Sequence, residues 1–183
     1  MIFSVGYQKI QPARLVELCD RLDAFIVDVR AKPVSRKPGF GRRQLEALLG
    51  ERYVWRGDQL GGLPPSWRDG RPLPKATSAG IDWLVTGEHN ITTSPRNVIL
   101  MCQEEFPGDC HRHLTIARAL LRESISLAVW HLHEEDVVSS EQLDRALRAD
   151  EPEVEYEALE PLEWLANAAR RDAGQPSTLR DSP

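Results

Sequence analysis

Residues 98–112 of the chain are VILMCQEEFPGDCHR. The apolar run over 98–101 is followed by polar residues, which is typical of a strand that is covered on both faces in a parallel sheet. A helix is predicted to begin near Cys110. Because ligands of parallel sheets bind beyond the carboxyl ends of the strands, the two cysteines, the carboxylates, His111 and Arg112 of this stretch indicate a functional site.

The rest of the chain alternates between apolar runs and amphipathic segments. This alternation predicts an α/β fold, with a mostly parallel central sheet flanked by helices in a Rossmann-like three-layer sandwich. The connection over 56–76 is rich in glycine, proline and tryptophan and is predicted to be a lid without regular structure. The predicted strands cover 2–5, 24–30, 52–55, 98–101 and 126–132, and the predicted helices cover 12–22, 42–50, 77–89 and 110–123.

Length and composition limit the class of protein. A chain of 183 residues that is 41% hydrophobic can bury one core. No apolar run approaches the 18 residues of a membrane helix, and the first residues are predicted to form a strand rather than a signal peptide. Three cysteines argue against a disulfide-built secreted domain. We therefore expect a soluble, cytoplasmic protein with no membrane partner.

The distribution of charge indicates how the chain is divided. The net charge is -5, but residues 134–163 alone hold twelve acidic and two basic side chains. We predict an α/β domain over 1–133, an acidic helical extension over 134–171 that packs on the domain or on a partner, and a flexible tail over 172–183. Apolar residues in the extension would allow a homodimer through these C-terminal helices.

A basic run follows the second predicted strand. Arg30, Lys32, Arg36, Lys37, Arg42 and Arg43 lie within a segment that contains no carboxylate. Such a run can bind phosphates, although a solvated loop has the same composition. Asp28 and Arg30 share one face of their strand, where they either form a structural ion pair or present Arg30 to an anionic substrate. The position at the end of the strand favours the second interpretation.

Several motifs occur in one order over residues 1–133. They are Ser4-Val5-Gly6-Tyr7, Val27-Asp28-Val29-Arg30 with Pro33, Ser35-Arg36-Lys37-Pro38-Gly39-Phe40, Tyr53 followed by Leu60-Gly61-Gly62, Met101-Cys102-Gln103-Glu104, Cys110-His111-Arg112 and His131-Leu132. This set resembles the domain-of-unknown-function-488 (DUF488) family. The resemblance implies a compact α/β fold with a shared pocket and assigns no reaction. Tyr7 departs from the family, which often has histidine there, and the acidic extension lies outside the matched region.

The first functional hypothesis is an enzyme that acts on a nucleotide or a nucleic-acid base, by glycosyl-bond or thiol-based chemistry. A thiolate at the start of a helix is a candidate nucleophile, and a carboxylate or an imidazole can transfer protons. Arginine donors would bind phosphate or carboxylate groups. The predicted catalytic residues are Cys102, Glu104, Cys110 and His111, and the predicted substrate-binding residues are Gly6, Tyr7, Asp28, Arg30, Ser35, Arg36, Lys37, Gly61 and Arg112.

Three alternatives remain open. The same arginines could serve a non-catalytic module that binds a nucleotide or nucleic acid. The cysteines, Glu104 and His111 are ligand types that zinc accepts, but their spacing is not a repeated C-x-x-C pair, so we predict no metal and no cofactor. Cys102 and Cys110 could also line the core or close a redox-sensitive disulfide. The enzyme hypothesis requires that the guanidinium groups after the second strand and the cysteines after the fourth meet in one hollow.

Overall fold

A computed structural model of the protein describes residues 1–62, 76–86, 97–149 and 154–172. In this part of the chain seven strands form one sheet, in the order β3-β2-β4-β1-β5-β6-β7 once numbered along the sequence. The first five are parallel, and β6 and β7 add antiparallel pairings at one edge. The strands are β1 (Ile2–Gly6), β2 (Ala24–Asp28), β3 (Tyr53–Trp55), β4 (Asn97–Cys102), β5 (Val129–His133), β6 (Asp136–Ser139) and β7 (Glu157–Ala158).

Helices cover both faces of the sheet. None of the described helices is long and apolar enough to cross a membrane. Short 3-10 turns occupy Gly50–Arg52, Pro107–Asp109 and Ile125–Leu127, and a π-helical segment covers Arg112–Ala117. The α-helices are α1 (Pro12–Leu22), α2 (Arg42–Leu49), α3 (Gly57–Leu60), α4 (Ser78–Thr86), α5 (Arg118–Glu123), α6 (Ser140–Ala149) and α7 (Glu160–Asp172).

The alternation of side chains along each strand builds two cores. On one face, α1, α2 and α7 pack against a cluster that includes Ile26 and Ile99. On the other face, α4 and α5 pack against a cluster that includes Val27 and Leu100. Each buried strand is therefore apolar on both sides, which explains its continuous apolar sequence. The predicted α/β sandwich is confirmed.

The order of the strands creates a switch point between β1 and β4. From β1 the chain passes through α1 toward β2, whereas from β4 it passes through the π-helical segment and α5 toward β5, on the opposite face and in the opposite direction. Their carboxyl ends meet in register at Gly6 and Cys102. Open α/β sheets bind ligands at such a point, because the diverging connections leave a crevice there.

Several element boundaries differ from the prediction. The second strand ends at Asp28, and Arg30 makes only an isolated bridge with Gly62. The last predicted strand begins with a 3-10 turn, because Ser124 accepts hydrogen bonds from Ser126 and Leu127, and the strand starts only at residue 129. Helix α3 lies in a connection that was predicted to lack regular structure.

The chain after residue 133 is not purely helical. Strand β6 pairs with β5 and β7 pairs with β6, so the acidic extension continues the central sheet. Helix α6 begins after Ser139, which forms reciprocal capping hydrogen bonds with Gln142. The predicted flexible tail lies outside the described residues except for Asp172. Residues 63–75 of the predicted lid, residues 87–89 of the third predicted helix and the loop after that helix also lie outside them.

A chain truncated after His133 is expected to lose cooperative unfolding. The truncation exposes the edge of β5 and removes buried apolar side chains such as Val137, Leu143 and Leu159. Thermal unfolding followed by circular dichroism checks this expectation, with a chain that ends at Asp172 as the control that should unfold like the full chain. A cooperative transition in the 1–133 fragment near the full-length midpoint would instead make residues 1–133 an independent domain.

Candidate functional site

Four side chains converge where β4 ends, and we call them the cysteine cluster: Cys102, Glu104, Cys110 and His111. Cys102 is the last residue of β4 and points into the second core together with Cys110. The intervening loop ends in the 3-10 turn Pro107–Asp109, which brings Cys110 back beside the strand end. The predicted catalytic residues therefore lie together at the switch point of the sheet.

Glu104 lies between the two sulfur atoms. Its Oε2 atom is 3.1 Å from the Sγ atom of Cys102 and 3.1 Å from the Sγ atom of Cys110. The Nδ1 atom of His111 is 3.8 Å from each Sγ atom. Both cysteines are free thiols. The cysteines and the histidine are buried, whereas Glu104 is half-buried and is the member of the cluster nearest to solvent.

The ring of His111 has a defined orientation. Its Nε2 atom is 2.8 Å from the carbonyl oxygen of Val29, which can only accept a hydrogen bond. Nε2 therefore carries a proton, and Nδ1 is directed at the sulfur atoms. Gly62 lies against the ring, since a Cβ atom at this position would be 2.6 Å from atoms of the imidazole.

Arg112 organises the loop that carries Glu104. The guanidinium is 1% exposed and donates hydrogen bonds to the carbonyl oxygens of Glu104 and Glu105, the second at 2.7 Å. The backbone N–H of Arg112 lies 3.5 Å from the Sγ atom of Cys110. Gly6 contacts the other side of the loop, where a Cβ atom would be 1.9 Å from the Glu104 carbonyl oxygen. Gly6 and Arg112, which are two of the predicted substrate-binding residues, thus hold the cluster in place.

Burial and mutual contacts shift the pKa values of the cluster. Burial raises the pKa of Cys110, but the hydrogen bond from Cys102 and the charge of Arg112 outweigh burial and hold it well below its usual value. The hydrogen bond with Cys110 and burial raise the pKa of Cys102 well above its usual value. Burial and the charge of Cys110 raise the pKa of Glu104. Negative charge is therefore concentrated on Cys110.

His111 and Cys19 show how local contacts decide the direction of a shift. Burial lowers the pKa of His111, but the hydrogen bond and charge of Cys110 outweigh burial, so the pKa is raised. Cys19 lies in the first core, where burial outweighs the charge of Arg52 and raises the pKa of the thiol to about 12. Cys19 is thus the small apolar filler that its position in an amphipathic helix indicates.

Asp28 and Arg30 form a buried structural pair. The Nε and Nη2 atoms of Arg30 donate to the two oxygens of Asp28 at 2.8 and 2.5 Å, and Nη1 donates to the carbonyl oxygen of Phe40 at 2.8 Å. Tyr53 donates a 2.6 Å hydrogen bond to Asp28, and Tyr7 lies 3.3 Å from Nη1. These contacts support the structural interpretation of the pair rather than the presentation of Arg30 to a substrate.

The remaining predicted substrate-binding residues have different surroundings. Ser35 accepts a 3.2 Å hydrogen bond from Tyr7. Lys37 donates to the carbonyl oxygens of Tyr7, Gln8 and Ile10, so it fastens its loop to the segment after β1. Gly61 lies where a Cβ atom would be 2.2 Å from the Gly57 carbonyl oxygen. Arg36 is exposed.

The structure separates the predicted site into two groups. Asp28 pairs in register with Met101, so its side chain and that of Arg30 point to the first core, where Tyr7 and Phe40 pack. Cys102 follows Met101 and points to the opposite face. The two groups share the carboxyl edge of the sheet, but the guanidinium of Arg30 does not face the cysteine cluster. The prediction that Arg30 meets the cysteines in one hollow, which the enzyme hypothesis requires of the guanidinium groups after the second strand, is therefore wrong for this residue.

A buried polar chain beside the cluster was missed in the sequence. Ser4 Oγ is 2.6 Å from His131 Nδ1, and His131 Nε2 is 3.0 Å from His113 Nδ1. Burial lowers the pKa of His113 to about 4 and that of His131 well below its usual value, so both rings are neutral near pH 7. The sequence signals were the places of Ser4 and His131 in two motifs of the family resemblance and their inward positions in otherwise apolar strands.

Replacing Asp28 with asparagine should destabilise the protein by about 3–5 kcal/mol, because removal of one partner leaves a buried charge on Arg30 uncompensated. Chemical denaturation measures this loss. Glu46→Gln is the matched control, since it breaks an exposed Arg42–Glu46 ion pair and should leave the unfolding midpoint unchanged. Equal, small effects of the two substitutions would return Arg30 to the list of substrate-binding candidates.

Comparison with known proteins places the chain in a family. The family described as "Domain of unknown function DUF488" matches residues 13–120, which is more than half of the chain and includes the whole cysteine cluster. No curated protein and no solved structure matches the chain. The predicted resemblance is therefore confirmed, and the protein belongs to the DUF488 family.

Proposed function

We propose that this DUF488 protein is an enzyme that acts on a nucleotide or a nucleic-acid base, with the cysteine cluster as its reaction centre. The observation that carries the proposal is the convergence of two thiols, a carboxylate and an imidazole at the switch point of the sheet. Burying polar groups costs free energy that an apolar corner would avoid. A cluster of this kind is typical of a reactive site.

The members of the cluster differ in their access to a substrate. Glu104 is half-buried and is the group suited to transferring protons between substrate and site. Cys110 and Cys102 supply sulfur chemistry behind it, and His111 is held in one orientation by Val29. Gly6 and Arg112 position the loop that carries Glu104.

The substrate class rests on the basic segment after β2. Arg30, Lys37 and Arg112 are bonded within the protein, so they support the site rather than provide the charges that contact phosphate. Lys32, Arg36 and Arg43 are exposed on or beside the loop that follows Arg30, and we assign phosphate contact to this group. The segment begins one residue after Val29, whose carbonyl oxygen contacts His111.

A binding module without catalysis is the second candidate. It is favoured by the exposed position of Arg36, which is independent of the cysteine cluster. Such a module would retain nucleotide affinity when the cluster is altered. It would lose affinity when the exposed positive charges are reversed.

A screen of nucleosides, nucleotides and short oligonucleotides tests these candidates. A ligand of the folded state raises the thermal midpoint, and mass spectrometry of the same mixtures detects turnover. Glu104→Gln should reduce turnover by at least about a hundredfold, because proton transfer by a positioned carboxylate contributes that much or more. Ligand affinity should change little.

Glu105→Gln is the matched control. Glu105 is the neighbouring carboxylate, but it forms an ion pair with Lys9 at 3.0 Å and lies 3.5 Å from Nε2 of His133 instead of joining the cluster. We expect this variant to keep its turnover. Binding without turnover in the unaltered protein would reject the enzyme and leave the binding module, whereas equal losses in both variants would remove Glu104 from the reaction.

Location and assembly are part of the same proposal. We assign the protein to the cytoplasm, where its cysteines would stay reduced.

A homodimer through the C-terminal helices is supported by α7, on which Trp164 and Leu165 are 58% and 52% exposed. Sedimentation of the full chain and of Leu165→Glu measures the oligomeric state, and a monomer in the unaltered protein excludes the dimer.

A further inference from the structure

We infer that the cysteine cluster binds one thiophilic divalent cation of the zinc type. The ligands are the Sγ atoms of Cys102 and Cys110 and the Nδ1 atom of His111, with Oε2 of Glu104 at the fourth position. This inference concerns the same residues as the proposed enzyme and deepens that proposal by naming its cofactor. From the sequence alone, a metal site is the least favoured interpretation of these residues. Their geometry favours it.

The distances within the cluster match one coordination sphere. The ligand atoms of Cys102, Cys110 and His111 all lie within 4.8 Å of one another. The sulfur-to-nitrogen distances are 3.8 Å, and the sulfur-to-carboxylate distances are 3.1 Å. A tetrahedral zinc site with bonds of about 2.0–2.3 Å separates its ligand atoms by roughly 3.5 Å. The ligand atoms of Cys102, Cys110 and His111 are therefore close enough to bind one ion, and Oε2 of Glu104 lies beside both sulfur atoms.

The histidine is oriented as a metal ligand. Metal-binding histidines usually donate the N–H of the second ring nitrogen to a carbonyl or carboxylate oxygen. In His111 this donor is Nε2, which contacts the Val29 carbonyl at 2.8 Å. The lone pair of Nδ1 then faces the sulfur atoms. The close approach of Gly62 to the ring restricts rotation away from this position.

The charges of the cluster also favour a cation. Cysteine binds metal as thiolate, so two thiolates and the Glu104 carboxylate would place three negative charges in a mostly buried corner. A divalent cation together with the guanidinium of Arg112 balances them. The backbone N–H of Arg112, 3.5 Å from Cys110 Sγ, adds a hydrogen bond to one thiolate. Without a cation, full ionisation of the cluster would be costly.

The fourth position connects the cation to the proposed reaction. Glu104 is the half-buried member of the cluster, whereas the other three ligands are buried. A carboxylate at this position can give way to water or substrate, which converts a closed site into one with an open coordination position. The three buried residues would hold the cation while the fourth position takes part in chemistry.

Cobalt titration of the reduced, metal-stripped full-length protein tests the inference directly. We expect one Co²⁺ per chain, with the ligand-field absorption of a tetrahedral site, thiolate-to-cobalt charge transfer, and displacement by Zn²⁺. Cys102→Ser and Cys110→Ser should each remove about half of the charge-transfer intensity, since each removes one of two thiolates. His111→Asn should weaken Zn²⁺ binding by at least about a hundredfold, because even residues that only orient ligands contribute up to that amount.

Cys19→Ser is the matched control, because Cys19 is equally buried but lies in the first core away from the cluster. It should bind Co²⁺ and Zn²⁺ like the unaltered protein, and circular dichroism confirms that each variant is folded. Folded, reduced protein that binds well under one equivalent would overturn the inference, as would cobalt spectra that the cluster variants leave unchanged. A disulfide between Cys102 and Cys110 that persists in reductant would also overturn it.

The outcomes separate this inference from the proposed function. Cation binding without turnover of any nucleotide in the screen would support the metal site and reject the enzyme. Turnover by protein that binds no cation would support the enzyme and reject the metal site.

Discussion

Parallel pairing of β1 with β4 is the constraint on which the rest of the site depends. It places Gly6 opposite Cys102 and brings the loop after β4 so close to β1 that a side chain at Gly6 would collide with the Glu104 carbonyl. The connections leave these two strands in opposite directions, so their carboxyl ends form the crevice. The position of the cysteine cluster is therefore a consequence of strand order.

Two buried arginines, each with its hydrogen-bond partners, stabilise the carboxyl edge of the sheet from opposite faces. On the first face, Asp28 and Arg30 satisfy each other and fasten the loop that follows β2. On the second face, Arg112 fastens the loop that carries Glu104. Both arginines are almost completely removed from water, and both are bonded to partners within the chain. Their role is to hold reactive and basic segments at defined positions, which a functional site requires.

The cysteine cluster concentrates polar groups where an apolar core would be more stable. Glu104 lies within hydrogen-bond distance of both sulfur atoms in a mostly buried corner, where an ionised carboxylate or thiolate is costly unless it is paired. A substrate or a cation that binds this corner would relieve that cost. The chemistry of the proposed enzyme and the inferred cation site thus follow from the same electrostatic imbalance.

The family rests on motifs spread over residues 1–133. The sequence by itself also determined four helices and five strands of this region and the members of the cysteine cluster. Those features depend on local periodicity and on residues close in the chain. It did not reveal the hairpin of β5 and β6, because the turn at Glu134 and Glu135 lacks the usual glycine or asparagine, although Glu134 adopts a positive φ of 53°. The backbone groups at the open edge of β5 pair with β6, and the local sequence of the acidic segment does not predict this pairing.

Only the tertiary structure decided which side chains share a face. Asp28 aligns with Met101, so Arg30 is directed away from Cys102 although both lie at the same edge of the sheet. Likewise, Cys102 and Cys110 become neighbours only because a loop and a 3-10 turn fold back onto the end of β4. Strand register and loop closure are long-range properties, and a shift of one residue would reverse the face of every side chain.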